Sequence, residues 1–214
     1  MSEIERSSFL NLPKEKLVDE IFKLKDDLSK LHEDFVKVTN LRLYHLERNQ
    51  NMHIQYGRRE SFEIVGIPPN ITDDKLEEVL DIVKEAKVLI NRQPLKKSDI
   101  CAVHRLKDKN TTICRVVNRK YATEAIFNGK NLKGTKRYGD GKAIFINPSL
   151  CPEFKFLNFV IRKAWREKVI HRYKIRNGVS YVQKLEDSDF VQIGHVLDLQ
   201  NLGLTVPERK SYTR

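Results

Sequence analysis

Apolar positions near the start of the chain fall at Leu17, Ile21, Leu24, Leu28, Leu31 and Phe35, in alternating steps of four and three. A repeat averaging 3.5 residues keeps one narrow stripe in register along a supercoiled helix, which makes it the seam of a coiled coil. A helix lying on the protein's own core shows a broader apolar face. Residues 14–52 contain neither glycine nor proline, so 14–56 is predicted as one coiled-coil helix that associates with copies of itself. Past Phe35 the stripe continues through Thr39, Leu43 and Leu46. The steps of four leading to Leu43 form a stutter, which locally unwinds the supercoil. Arg42 and Glu47 flank Leu43 and Leu46. The pattern Arg-apolar-x-x-apolar-Glu is similar to a trimer-specifying motif of short parallel coiled coils, so a parallel homotrimer is expected. A chance surface pair is the alternative, because exposed ion pairs are common and contribute little.

After the basic joint "QYGRR" (55–59), read as a hinge with Gly57 ending the helix, the period changes to two. Residues 61–67 read as a strand with Phe62 and Ile64 on its inner face, stopped by Pro68-Pro69. Thr72 is a suitable N-cap for a helix reaching residue 86, with Asp73 and Asp74 at the positive end of its dipole. Leu76, Val79, Leu80 and Val83 share one face of that helix. Residues 99–106 and 111–117 alternate as strands across "KDKN", 120–128 read as a short helix, and 142–147 as a closing strand. The order β-α-β-β-α-β over 57–148 predicts a ferredoxin-like domain of the RNA-recognition-motif type.

Residues 149–204 predict a smaller α+β unit. Pro152 fits a first helical position, and Phe154, Leu157, Ile161 and Ala164 share one side of a helix over 152–168. Lys155, Arg162 and Arg166 fall near one flank of it. In "HRYKIRNGVSYVQK" (171–184), Asn177-Gly178 signals a hairpin, since a type I′ turn needs φ > 0 at both central residues. That turn sets Arg176 opposite Val179, Lys174 opposite Tyr181 and Arg172 opposite Gln183. Side chains alternate along a strand, so Arg172, Lys174, Arg176 and Tyr181 share one face, and Tyr173, Ile175 and Val182 the other. The chain as a whole is α+β, with residues 1–13 and 205–214 expected to be disordered ends.

Charge sharpens this picture. The net charge is +11 over 214 residues. Residues 1–50 carry nine basic and ten acidic side chains, whereas 51–214 carry 31 and 19, and 151–180 carry eight and two. A folded region so biased favours a polyanionic partner, nucleic acid before a membrane surface. No apolar run reaches the ~18 residues of a membrane span. The start "MSEIERSSFL" lacks the basic and apolar parts of a signal peptide. A cytoplasmic ribonucleoprotein component is expected, with the nucleus as the other compartment. Cys101, Cys114 and Cys151 form no CxxC pair, so no metal and no cofactor are predicted.

RNA-recognition motifs normally stack bases on aromatic residues of the two central strands. Here Glu63 takes the outer position of one strand, and residues 111–117 contain no aromatic, with Arg115 pointing outward beside Glu63. The candidate contacts are cations instead. Arg58 and Arg59 stand at the domain's entrance. Arg105, Lys107 and Arg115 take outward positions on the hairpin. Lys155, Arg162 and Arg166 line a helix flank, and Arg172, Lys174 and Arg176 surround Tyr181 on the ribbon. Arginine's planar fork matches phosphate, and stacking a base on Tyr181 would contribute ~1–3 kcal/mol. Together these side chains are expected to line one groove that follows single-stranded RNA, with DNA as the alternative ligand. "GKNLKGTK" (129–136) has the spacing of a phosphate-binding loop, but its Thr-Lys order is reversed and a strand follows, so it is a connecting loop. Acid pairs such as Asp73/Asp74 and Glu77/Glu78 fit a helix start and a helix surface rather than a metal or acid–base site, no nucleophile–histidine arrangement stands out, and no enzyme activity is expected.

The runs "RRESFEIVGIPP", "DICAVHRLK", "IFINPSLCPE" and "YKIRNGVSYVQK", in this order, resemble the first-frame protein of LINE-type retrotransposons and the related baculovirus few-polyhedra (FP) protein. The resemblance covers residues 57–204, and "RLYHLE" with its heptads agrees with the retrotransposon coiled coil. It implies a homotrimer that coats single-stranded RNA as a nucleic-acid chaperone. The strand would lie between the RNA-recognition-like and C-terminal domains, with Arg58, Arg59, Arg105 and the basic hairpin at matching positions. The zinc knuckle of some retroelement relatives is lacking. The competing reading is a structural or adaptor protein of the FP type, acting through coiled-coil contacts with other proteins.

Overall fold

The computed structural model describes residues 13–68, 75–90, 92–106, 110–135, 137–139 and 143–208. Pro69, Thr72 with Asp73 and Asp74, Lys107, and the predicted ends at 1–12 and 209–214 lie outside those residues.

Helix α1 spans Lys14–Tyr56 without interruption. The chain divides into two units, one ending at Glu47 and the other starting at Arg48. In the first unit Ile21, Leu24, Leu28, Leu31, Phe35, Leu43 and Leu46 are each more than half exposed, while Leu17 is half-buried. Among the described residues of this unit, the apolar side chains of Val18, Phe22, Val36, Val38 and Leu41, off that stripe, are exposed too.

The second unit opens with β1 (Ser61–Val65) and α2 (Lys75–Glu85), followed by a two-stranded ribbon of β2 (Leu89–Ile90) and β3 (Gln93–Pro94) that the pattern did not predict. Next come β4 (Ile100–Arg105), β5 (Thr111–Val116), α3 (Arg119–Asn128) and β6 (Phe145–Pro148). The long strands form one antiparallel sheet in the order β4-β5-β1-β6. β1 stops two residues before the predicted end because Gly66 adopts φ +107. A Cβ there would collide with the Ala143 carbonyl. Phe62, Ile64, Cys114, Val116 and Ile146 face Val79, Ile82 and Val83 of α2 and Ala122 and Ala125 of α3, all buried. Burying each large side chain of this kind contributes roughly 1.5–3 kcal/mol. The Lys120 N–H donates to the Asn118 side chain (2.9 Å), which caps α3. Arg137 holds α2 through Glu78 (3.0 Å), Asp81 (3.3 Å) and Glu85 (3.3 Å).

The remaining elements are α4 (Pro152–Arg166), β7 (Arg172–Arg176), β8 (Val179–Gln183), β9 (Val191–Ile193) and α5 (Val196–Asn201). The β7–β8 register matches the predicted one, with Lys174 opposite Tyr181, and Asn177 and Gly178 at φ 52 and 76. β9 adds a third strand beside β8. Leu157, Ile161 and Ala164 of α4 bury against Val182, Ile193 and Leu199, with Tyr173 packed beside them.

The joint at 55–59 is a packed elbow, not the expected hinge. Gln55 is buried; its amide donates to the Ser149 carbonyl (3.0 Å) and accepts from the Cys151 N–H (2.9 Å). The Arg58 and Arg59 N–H groups bond back to Gln55 and Tyr56. Gly178 sits so close to Gln55 that any side chain there would displace it. Asn51 donates to the Gly194 carbonyl, and Arg48 meets Asp198 at 3.3 Å. The last turns of α1 are thereby bolted to both the sheet end and the C-terminal elements.

Candidate nucleic-acid interface

Two clefts meet where β6 passes into α4. The first, ≈ 290 Å³, is walled by the elbow (Gln55, Arg58, Arg59), the start of α3 (Arg119, Thr123), Ile175 and the hairpin tip Asn177-Gly178. The second, ≈ 530 Å³, is lined by Glu63, Leu150, Lys155, Asn158, Phe159, Lys163 and Arg166. Asn147, Pro148 and Arg162 line both. Glu63 and Asn147 are directly opposed in the β1–β6 pair. Phe62 and Ile64 point to the helices, so Glu63 and Asn147 present the other sheet face. The second cleft lies between that face and α4.

Local chemistry fixes several of these side chains. Glu63 is buried. It accepts from Ser149 Oγ (3.3 Å), and Lys155 Nζ lies 2.9 Å from its carboxylate. Ser149 Oγ in turn accepts from Arg58 (3.4 Å). One buried acid thus orients a cation in each cleft. The Arg59 guanidinium stacks over the Tyr56 ring at 4.0 Å, and its Nε is buried without a hydrogen-bond partner among the described residues. Arg119, Arg162 and Arg166 form no ion pair among the described residues. Lys163 meets the exposed Glu167 at 3.9 Å.

No protein-family model matches the chain, and no curated protein does.

Of the predicted contacts, Arg58, Arg59, Lys155, Arg162 and Arg166 converge on the joined clefts. The others stand elsewhere. Arg105 is opposite the buried Thr112, so it lies on the helix side of the sheet rather than facing outward. There its guanidinium donates to the carbonyls of Ile67 (2.6 Å) and Pro68. Arg115 faces outward but is opposite Ser61 and meets Glu60 at 3.4 Å, while Glu63 belongs to Lys155. Arg172, Lys174 and Arg176 are exposed on the ribbon face opposite Ile175, and none lines either cleft. Lys174 Nζ instead sits 3.7 Å from the Phe190 ring. Tyr181 is half-buried with Met52 against Leu150, Cys151, Phe154 and Val179, which withdraws it from base stacking. The ribbon enters the first cleft by its turn and Ile175, not by its cations.

The pattern overlooked Arg119, Lys163, Asn158 and Phe159. Two of these carried a signal. Arg119 and Lys120 occupy the first turn of α3 with no acid there, which places cations at the unfavourable positive end of the helix dipole. Phe159 fits between Lys155 and Arg162 at helical spacing and is 59% exposed, completing a basic stripe with one aromatic. Among the described residues no helix is long and apolar enough to cross a membrane, and no group of three His, Cys, Asp or Glu is placed to hold a metal.

Proposed function

We propose that this protein binds single-stranded RNA along the two joined clefts, mostly through phosphates, and does so as a parallel homotrimer assembled by α1. The observation that carries the reading is the convergence of Arg58, Arg59, Arg119, Arg162, Lys163 and Arg166 on a continuous concave surface where the one acid among the described lining residues, Glu63, is already paired. Clefts lined by one sign of charge raise the local concentration of the opposite charge, and arginine forks suit phosphate oxygens. The β4-β5-β1-β6 order, with α2 and α3 on one face, supports an RNA-recognition-motif-like domain. The exposed heptad seam supports a coiled coil. On this reading the chain is a LINE-type first-frame or FP-like RNA-coating protein and nucleic-acid chaperone that works by binding rather than catalysis. Anisotropy of a labelled mixed-sequence RNA strand, titrated across salt, tests it. Tight binding that weakens steeply with salt is expected, and salt-independent or absent binding refutes it.

A further inference from the structure

Exposed aromatic rings in the second unit mostly carry a partner. Arg59 lies over Tyr56 at 4.0 Å, Lys130 over Phe127 at 4.1 Å and Lys174 over Phe190 at 3.7 Å, while Trp165 meets Tyr173 edge-on at 5.7 Å. Phe159 is exposed with neither a ring nor a cation against it among the described residues. Phe145 is bare in the same way but lines neither cleft, whereas Phe159 lines the second. Phe159 also lies outside the buried clusters, so its ring does not hold the fold together.

The neighbours of the ring give it a use. Arg162, Lys163 and Arg166 follow it by three, four and seven residues, which sets all four side chains on one face of α4, and all four line the cleft. The face of an aromatic ring is electronegative, so a phosphate is drawn to the cations and not to Phe159. A base is uncharged and has a π-face of its own. Residues three or four apart on a helix are about 5–6 Å apart at Cβ, a separation that one nucleotide spans from base to phosphate. The sheet offers no competing ring here, because Glu63 takes the outer position and Lys155 reaches down to it.

Resting on the RNA-binding reading above, we propose that Phe159 is the base-stacking ring of the second cleft, with the phosphate of the stacked nucleotide on Arg162 or Lys163. Stacking is sequence-tolerant, so the ring adds affinity for unpaired bases without choosing among them.

The test measures anisotropy of a labelled RNA of about 12 nucleotides, and of a strand of equal length whose sugars carry no bases. Phe159→Ala should bind the intact strand about 5- to 150-fold more weakly than the unaltered chain. Its log–log salt slope should not change, because no phosphate contact is lost. Both proteins should bind the baseless strand equally, and Phe159→Tyr, which keeps the ring, should match the unaltered chain on both strands. Phe127→Ala removes an exposed ring outside both clefts and should change neither. Full affinity of Phe159→Ala for the intact strand, with Arg162→Ala weakened on it, overturns the inference and leaves strand binding intact. An equal loss on the baseless strand also overturns it, since the ring would then act on something other than a base. Absence of salt-dependent binding by the unaltered chain overturns both readings.

Discussion

Arg162 is the residue on which strand binding can be tested most sharply, because it alone among the described cations borders both clefts. Six side chains there carry positive charge that no buried acid neutralises among the described residues: Arg58, Arg59, Arg119, Arg162, Lys163, whose long contact with Glu167 is exposed, and Arg166. Lys155 is left out because the buried Glu63 neutralises it at 2.9 Å. Single strands release about 0.7 counterion per phosphate neutralised, so six contacts give a log–log salt slope of about −4, and Arg162→Ala about −3.5. Raising salt fourfold should then weaken the unaltered chain about 300-fold and the variant about 130-fold. The assay is anisotropy of a labelled RNA of about 12 nucleotides, within the range of single-strand site sizes, over a salt series. The control is Lys174→Ala, whose ammonium lies over Phe190 outside both clefts and should leave the slope unchanged. A slope that responds to Lys174→Ala and not to Arg162→Ala would refute the placement of the strand.

Three further outcomes follow from particular contacts. Glu63→Gln removes the acid opposite Lys155; RNA should bind more tightly with a slope steeper by about 0.7, while the melting temperature falls, and unchanged affinity would count against Lys155 reaching the strand. Leu28→Asp with Leu31→Asp places charge in the exposed α1 seam; analytical ultracentrifugation should show a trimer collapse to monomer, and an unaltered mass would exclude the seam as the interface. The Cys114 thiol is pushed up to about 12 by burial and then by nearby Cys101, so iodoacetamide at mildly alkaline pH should label the exposed Cys101 and spare Cys114 in the folded chain. A thiol whose folded pKa is raised contributes stability that is whole below its ordinary 9.0 and is lost as pH climbs toward about 12. Tyr138 moves in the same direction, so denaturation against pH must compare the chain with Cys114→Val, and only the difference reports the thiol.

The elements that could be read from the sequence are those with a strong local rule. Asn177-Gly178 fixed the hairpin register because only that turn admits two successive positive φ angles, and every cross-strand pair followed from it. Pro152 marked the start of α4, and the 3.5-residue repeat marked α1. What could not be read depends on tertiary placement. Alternation told which ribbon residues share a face, but not that Tyr181 would pack beside Met52 and Phe154 and leave the turn to enter the cleft. Arg105 was expected to face outward together with Lys107 and Arg115. The pairing runs unbroken from Ala102 opposite Arg115 to Arg105 opposite buried Thr112, three residues on, which puts Arg105 and Arg115 on different faces of the sheet. Gln55 looked like part of a hydrophilic joint, yet both ends of its amide are committed to backbone groups about 95 residues onward. Nothing local in a sequence announces such a partner.

The absence of an aromatic at position 63 now has a physical account. On an open sheet an outer aromatic is a platform for a base, but here α4 covers that position and Lys155 reaches down to it. A ring at 63 would fill the second cleft and leave Lys155 and Ser149 without the carboxylate that orients them. A carboxylate instead ties Arg58 through Ser149 on one side and Lys155 on the other, so two cations from distant parts of the chain are held in place before a strand arrives. Fixing long side chains in advance lowers the ordering cost of binding. The surface gives up base stacking and the charge of Lys155 at that point and gains a fixed Arg58, which on the proposed reading suits binding of RNA with little regard to sequence. Three copies on one stalk would then multiply a modest single-site affinity through effective concentration.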